Sequence, residues 1–165
     1  MNLEFDVQMN AGVLYDYMLR HTYSGIAGIL GSVAGALGVV AGMLTHYPLY
    51  WILGLVILVY QPVSLWLRAK QQALLPVFKE LLHYKMTEEG VSVSQGETEQ
   101  FQKWEDMYKA VSTGKSVILY TDRIHASIFP RKDLGDKQTE VIAAICAHMP
   151  SKKVEIRFWR RADST

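Results

Sequence analysis

Residues 25–67 read GIAGILGSVAGALGVVAGML (25–44), THYP (45–48) and LYWILGLVILVYQPVSLWL (49–67), and this stretch decides the fold. From His21 to Leu67 there is no Asp, Glu, Lys or Arg. Twenty uncharged residues form a helix of roughly 30 Å at ~1.5 Å per residue, the thickness of a bilayer core. Backbone N–H and C=O groups in lipid must be bonded within the protein, so two lone strands are not viable and helices are expected. Buried core helices of a soluble protein would look similar. A chain of 165 residues, however, has too little other material to cover two such helices on all sides.

The surroundings agree with a hairpin of two spans, 25–44 and 49–67. Tyr47, Tyr50 and Trp51 cluster at the polar break, and Trp66 sits at the far end of the second span. Amphipathic rings prefer those interfacial levels. Arg20 precedes the first span, Arg68, Lys70 and Lys79 follow the second, and the break carries no Lys or Arg. The positive-inside rule then puts both termini in the cytoplasm of a cell with the hairpin in its inner membrane. A signal peptide is not expected, because Glu4, Asp6 and Asp16 precede the apolar region and that region is too long.

Outside this stretch the chain has a different composition. Fifteen of the 17 Lys and Arg residues follow Arg68, as do 13 of the 16 acidic ones. The balance there is only +2, which excludes a strongly basic nucleic-acid binder. Cys146 is the single cysteine, so no internal disulfide and no CxxC site can form.

The N-terminal segment, 1–24, alternates apolar Leu3, Phe5 and Val7 with polar neighbours, which predicts a strand, followed by a helix that Asn10 caps. Because a lone strand cannot stand by itself, it is expected to join a sheet formed downstream. Residues 69–82 predict a juxtamembrane helix that Pro76 interrupts and either bends or restarts, with Leu74, Leu75, Phe78, Leu81 and Leu82 as an apolar stripe. Packing of that stripe on the next domain is favoured over contact with lipid. From 83 to 150 the pattern turns to short strands. Hairpins are expected around Glu88-Glu89-Gly90 and Asp122-Arg123, with a turn at Gln95-Gly96-Glu97. Phe101–Val111 reads as a strand with an irregular middle or as a helical turn within a strand. A last helix carries Val141, Ile142, Ile145 and Met149 on one face and stops at Pro150. Residues 151–165 are a tail or an edge strand.

Two motifs in this region, Phe101-Gln102-Lys103-Trp104-Glu105-Asp106-Met107 and Ile128-Phe129-Pro130-Arg131-Lys132-Asp133-Leu134, resemble the YcxB-like bacterial membrane proteins. The order of elements from Asn2 to about Met149 resembles that family too. The resemblance implies a C-terminal domain related to bacterial pleckstrin-homology-type domains. The fold class expected is therefore an α+β membrane protein, with a two-helix transmembrane hairpin and a small PH-like antiparallel β-domain closed by a C-terminal helix.

Among candidate functional residues the glycine ladder comes first. Gly28, Gly31, Gly35, Gly38 and Gly42 step by three or four residues and contain two GxxxG motifs. Such a face lets another helix approach closely. Packing against the second span is favoured, since that helix is always within reach, and homodimerisation is the alternative. Gln61-Pro62 lies inside the second span and reads as a kink; without a charged residue nearby it is poor support for a transport path. The five histidines form no HExxH or close ligand pair. Ser112-Thr113-Gly114-Lys115-Ser116 imitates the end of a P-loop, but lysine occupies position 109 where the first glycine is required. No hydrolase elbow is present. No enzyme activity, metal or cofactor is expected. Arg131 and Lys132, at a proline corner, are candidate contacts for anionic lipid headgroups and are expected to be exposed and dispensable for folding. The functional reading is a membrane-anchored, non-catalytic interaction or regulatory module whose protein partner the sequence does not name. The alternative is an oligomeric transporter accessory or channel-like subunit.

Overall fold

A computed structural model describes residues 2–156. Arg157, Trp159 and Arg160-Arg161 of the expected tail lie outside the described residues.

Strand β1 (Leu3–Val7) buries Leu3, Phe5 and Val7 and exposes the residues between them, as its alternation requires. Asn10 then starts helix α1 (Ala11–Ser24), its side chain accepting the Val13 N–H at 3.1 Å. Helices α2 (Ile26–Thr45) and α3 (Pro48–Ala73) follow. His46 joins them in the left-handed region, φ 55°, and Pro48 opens α3 at the position where a missing N–H matters least. Both helices are long and apolar enough to cross a membrane. They are not core helices: only 17% of the apolar window in α2 and 11% of that in α3 is buried.

Of the two outcomes expected at Pro76 over 69–82, a bend or a restart, the structure has the restart, and the helical part stops at Lys79. Helix α3 continues unbroken to Ala73, and α4 is a single turn, Pro76–Lys79. Pro76 cannot continue the preceding helix and holds Leu75 extended. The expected packing of the apolar stripe is met only in part. Phe78 and Leu82 pack on the core, but Leu74, Leu75, Val77 and Leu81 are exposed.

The remaining chain forms two four-stranded sheets. The first has the order β1-β2-β3-β4, with β2 Leu82–Met86, β3 Gly90–Gln95 and β4 Thr98–Lys103. All its pairings are antiparallel, and β1 pairs with β2 through Phe5 and Tyr84. A 3-10 turn, Trp104–Asp106, leads to the second sheet. Its order is β7-β6-β5-β8, with β5 Lys109–Ser112, β6 Ser116–Tyr120, β7 Ala126–Pro130 and β8 Val154–Glu155. Here β8 runs parallel to β5, a short exception in otherwise antiparallel sheets. Helices α5 (Arg131–Leu134) and α6 (Gln138–His148) close the unit. The protein is thus an α+β fold with two long apolar helices and antiparallel sheets.

One core joins both sheets, α1 and α6. Val7, Met86, Met107, Ile118, Phe129 and Ile145 are all but fully buried in it. Each such side chain contributes about 1.5–3 kcal/mol through burial. Phe5, Tyr84 and Phe129 meet edge to face or stacked, with centroids 4.9–5.7 Å apart.

Candidate functional site

The ladder glycines separate into two groups. Gly31, Gly35, Gly38 and Gly42 face α3 of the same chain. A Cβ on Gly35 would lie 2.8 Å from Leu58 Cγ, and one on Gly38 would lie 3.1 Å from the Gly54 Cα. At Gly42 the obstacle is the Trp51 backbone and Cβ. Gly31 is looser and lies under the side-chain amide of Gln61. Gly28 faces the Thr22 carbonyl at the end of α1 instead. The residue that sequence reasoning missed is Gly54 on α3, where a Cβ would meet Val39 N at 2.5 Å and Gly35 O at 2.6 Å. A lone glycine among Leu, Ile and Val shows no periodicity. Only its position opposite Gly35 and Gly38 reveals it. A homodimer through this face would first have to displace α3.

Helix α1 couples the hairpin to the sheets. Leu14 and Tyr15 face α3, where Leu65 and Ala69 are buried and Trp66 meets Tyr15 edge to face at 5.2 Å. On its other side Val13 and Tyr17 join the core, and the Tyr17 hydroxyl donates to the Ile124 carbonyl at 3.0 Å. The Thr113 hydroxyl donates to the Asp16 carboxylate, and Arg20 pairs with Glu155 at 3.6 Å. Burial, with the neighbouring Tyr17 adding to it, pushes the Tyr120 hydroxyl up to about 12.

The basic corner departs from expectation. Lys132 is exposed, but Arg131 is half-buried and belongs to the framework. Its backbone N–H donates to the Lys115 carbonyl at 2.8 Å and its Nε to the Thr113 carbonyl at 3.3 Å. Burial lowers its guanidinium pKa. The reason is topological: Pro130 is the last residue of β7 opposite Ser116, so the next side chain falls over the β5–β6 turn.

A cleft of about 610 Å³ opens beside α4, between the inner face of the first sheet and the β6–β7 turn. Tyr84, Val91 and Met107 are its buried floor, with Val77 and Phe78 at one lip. That lip is fixed: the Gln8 side chain donates to the Phe78 and Lys79 carbonyls, and Gln95 donates to the Val77 carbonyl. Across from it, Asp122 accepts the N–H groups of Ile124 and His125 at 2.6 and 2.7 Å and contacts His125 Nδ1 at 2.7 Å. The backbone N–H of His125, then that of Ile124, hold its carboxyl down at about 2. Nothing in the alternation of the sequence marked this cleft, because the residues that β4 turns toward it include the polar Thr98, Gln100 and Gln102. No group of three or more His, Cys, Asp or Glu suited to a metal occurs among the described residues.

These features define an α+β chain in which two apolar helices carry a β-domain. Comparison with known families adds one match: residues 87–144 fit the family model described as YcxB-like protein. That span contains both the Trp104 segment and the Phe129–Lys132 corner, and it supports the resemblance read from the sequence. Neither the curated proteins nor the solved structures give a match.

Proposed function

We propose that the chain is a membrane-anchored, non-catalytic interaction module, with α2 and α3 spanning the inner cell membrane and both termini and the β-domain in the cytoplasm. The observation that carries this reading is the outward direction of the apolar side chains on both helices, which a soluble fold would have to hide. Arg20, Arg68, Lys70 and Lys79 all flank the same end of the hairpin, and the turn at 45–47 has no Lys or Arg. Tyr47 and Tyr50 at the turn and Trp66, under the Lys70 ammonium, near the other end fit the two interfacial belts.

We read the β-domain, two sheets closed by a helix, as a PH-like unit whose surface serves binding rather than catalysis. Of the two corner cations, Lys132 is the one available to anionic headgroups. An oligomeric, channel-like assembly gains no support, since the glycine face is used within the chain.

Impermeant thiol labelling of intact cells tests the arrangement. In a Cys146→Ser background, Thr45→Cys should be labelled from outside and Gln95→Cys should not. Cys146 itself, exposed on α6, should be protected in the native chain. Labelling of Gln95→Cys and Cys146 from outside, with Thr45→Cys protected, would reverse the orientation. Labelling of none before lysis and all after it would remove the hairpin from the membrane.

A further inference from the structure

We infer that the cleft beside α4 binds an amphiphile drawn from the bilayer, with one acyl chain in the trough and a head that donates hydrogen bonds, a hydroxyl or an ammonium, at the rim. The inference rests on the membrane-anchored reading, because the acyl chain must arrive from the leaflet.

Three observations point to this ligand. The first is size and lining. The volume, about 610 Å³, lies within the roughly 300–1,000 Å³ of small-molecule sites, and an apolar floor with a few polar groups is their usual make-up. The second is the path. Helix α3 ends at Ala73, and Leu74 and Leu75 lead directly to Val77 at the lip. These three residues are 69%, 50% and 59% exposed, which leaves an apolar ledge from the end of a candidate span to the mouth of the trough. The ledge cannot swing away freely, because Gln8 and Gln95 hold the α4 carbonyls.

The third observation is the charge of the rim. Gln100 and Gln102 of β4 stand on one side and Asp122 on the other, and no Lys or Arg lines the cleft among the described residues. Asp122 is ionised throughout the physiological range. A phosphate or carboxylate head would meet that charge, and the imidazole in the lining, His125, is already held against Asp122 at 2.7 Å. A hydroxyl or ammonium finds acceptors in Asp122 and in the glutamine carbonyls. The basic corner at Arg131–Lys132 lies at the opposite end of β7 and is a separate surface.

The test uses the full chain in phosphatidylcholine nanodiscs with a monoacylglycerol that carries a photoactivatable diazirine in its acyl chain. Adducts are mapped by mass spectrometry. Probe dissolved in the bilayer should label α2 and α3, and probe bound in the cleft should also label the segments around Val77–Phe78 and Val91–Val93. Unlabelled monoolein or oleylamine should lower the cleft adducts about tenfold and leave the span adducts unchanged; oleate at the same concentration should not. Val77→Asp, at an exposed position where the fold tolerates charge, should reduce the cleft adducts alone, and Ala126→Trp should do the same by filling the trough. Span adducts without cleft adducts would overturn the inference and leave the membrane reading standing. So would cleft adducts insensitive to competitor and to both variants. Equal competition by oleate would overturn the assignment of the head. Absence of span adducts would instead overturn the membrane reading.

Discussion

Trp104 shows how one residue can be read from sequence and why its partners cannot. Its ring is buried, its Nε1 donates to the Thr87 carbonyl at 2.9 Å, and it stacks on His148 at 5.2 Å. Trp104→Ala should cost about 3–5 kcal/mol, measured by denaturant unfolding in detergent. Trp104→Phe should keep most of the packing and lose about 1 kcal/mol with the hydrogen bond. Phe101, Met107 and Tyr108 flank it in the sequence, an apolar setting that predicts a buried ring. His148 is 44 positions away in sequence, and no local pattern could announce it. Asp122 offers a second test. Its folded pKa, about 2, lies below the ordinary 3.8, so its contribution to stability is complete above about pH 4 and is lost as pH falls through 2. Asp122→Ala should lower the melting temperature at pH 7, and the difference from the parent should shrink toward zero near pH 2. Arg131 and Lys132 should also part company. Lys132→Glu should leave the melting temperature unchanged and weaken association with anionic vesicles, an effect that fades as salt rises. Arg131→Glu should lower the melting temperature, because it removes the donor to Thr113 and puts a carboxylate beside the Asp16 network.

At the scale of elements, the seam between α2 and α3 predicts an order of damage. Alanine at Gly54 meets backbone atoms that cannot yield, alanine at Gly35 meets the flexible Leu58 side chain, and alanine at Gly31 meets only the end of Gln61. Thermal stability in detergent should therefore fall most for Gly54→Ala, less for Gly35→Ala and least for Gly31→Ala. The reverse order would mean that the two helices are not held by backbone approach. What could be read in advance follows the same physics. Strand β1 and the two apolar helices declared themselves, because alternation and span length are set by the chain's own geometry. The 69–82 stripe misled because leucines at helical spacing look the same whether they will meet a core or remain uncovered. The first half of strand β4, residues 98–100, gave no signal for the opposite reason: at the edge of its sheet, with nearly every residue exposed, it needs no apolar alternation at all. Phe101–Val111 resolved into the helical-turn reading, with Trp104–Asp106 separating β4 from β5.

The molecule as a whole does not divide where its composition does. The family match covers 87–144, yet β1, α1 and Phe78 supply part of the core around that segment. Residues 83–156 expressed alone should therefore remain aggregated or molten, with one edge of β2 open and the sites of Leu3, Phe5 and Val7 empty. Joining 2–23 to 80–156 through a Gly/Ser linker in place of the hairpin should restore a cooperative unfolding transition, followed by tryptophan fluorescence. If the short fragment folds equally well, β1 is an accessory. The same interleaving fixes an order of events during synthesis. Strand β1 leaves the ribosome first, but its partner follows only after both apolar helices have been made; Asp6 and His83, which end up 2.6 Å apart, are separated by 77 positions. A free chain closing that loop would bear a large entropic cost. Once α2 and α3 have paired, Tyr15 and Trp66 are already neighbours, and the remaining search is short. On the proposed membrane-anchored reading, insertion becomes a step in completing the first sheet, and a chain whose hairpin fails to insert would display an open β2 edge to the quality-control proteases of the cell.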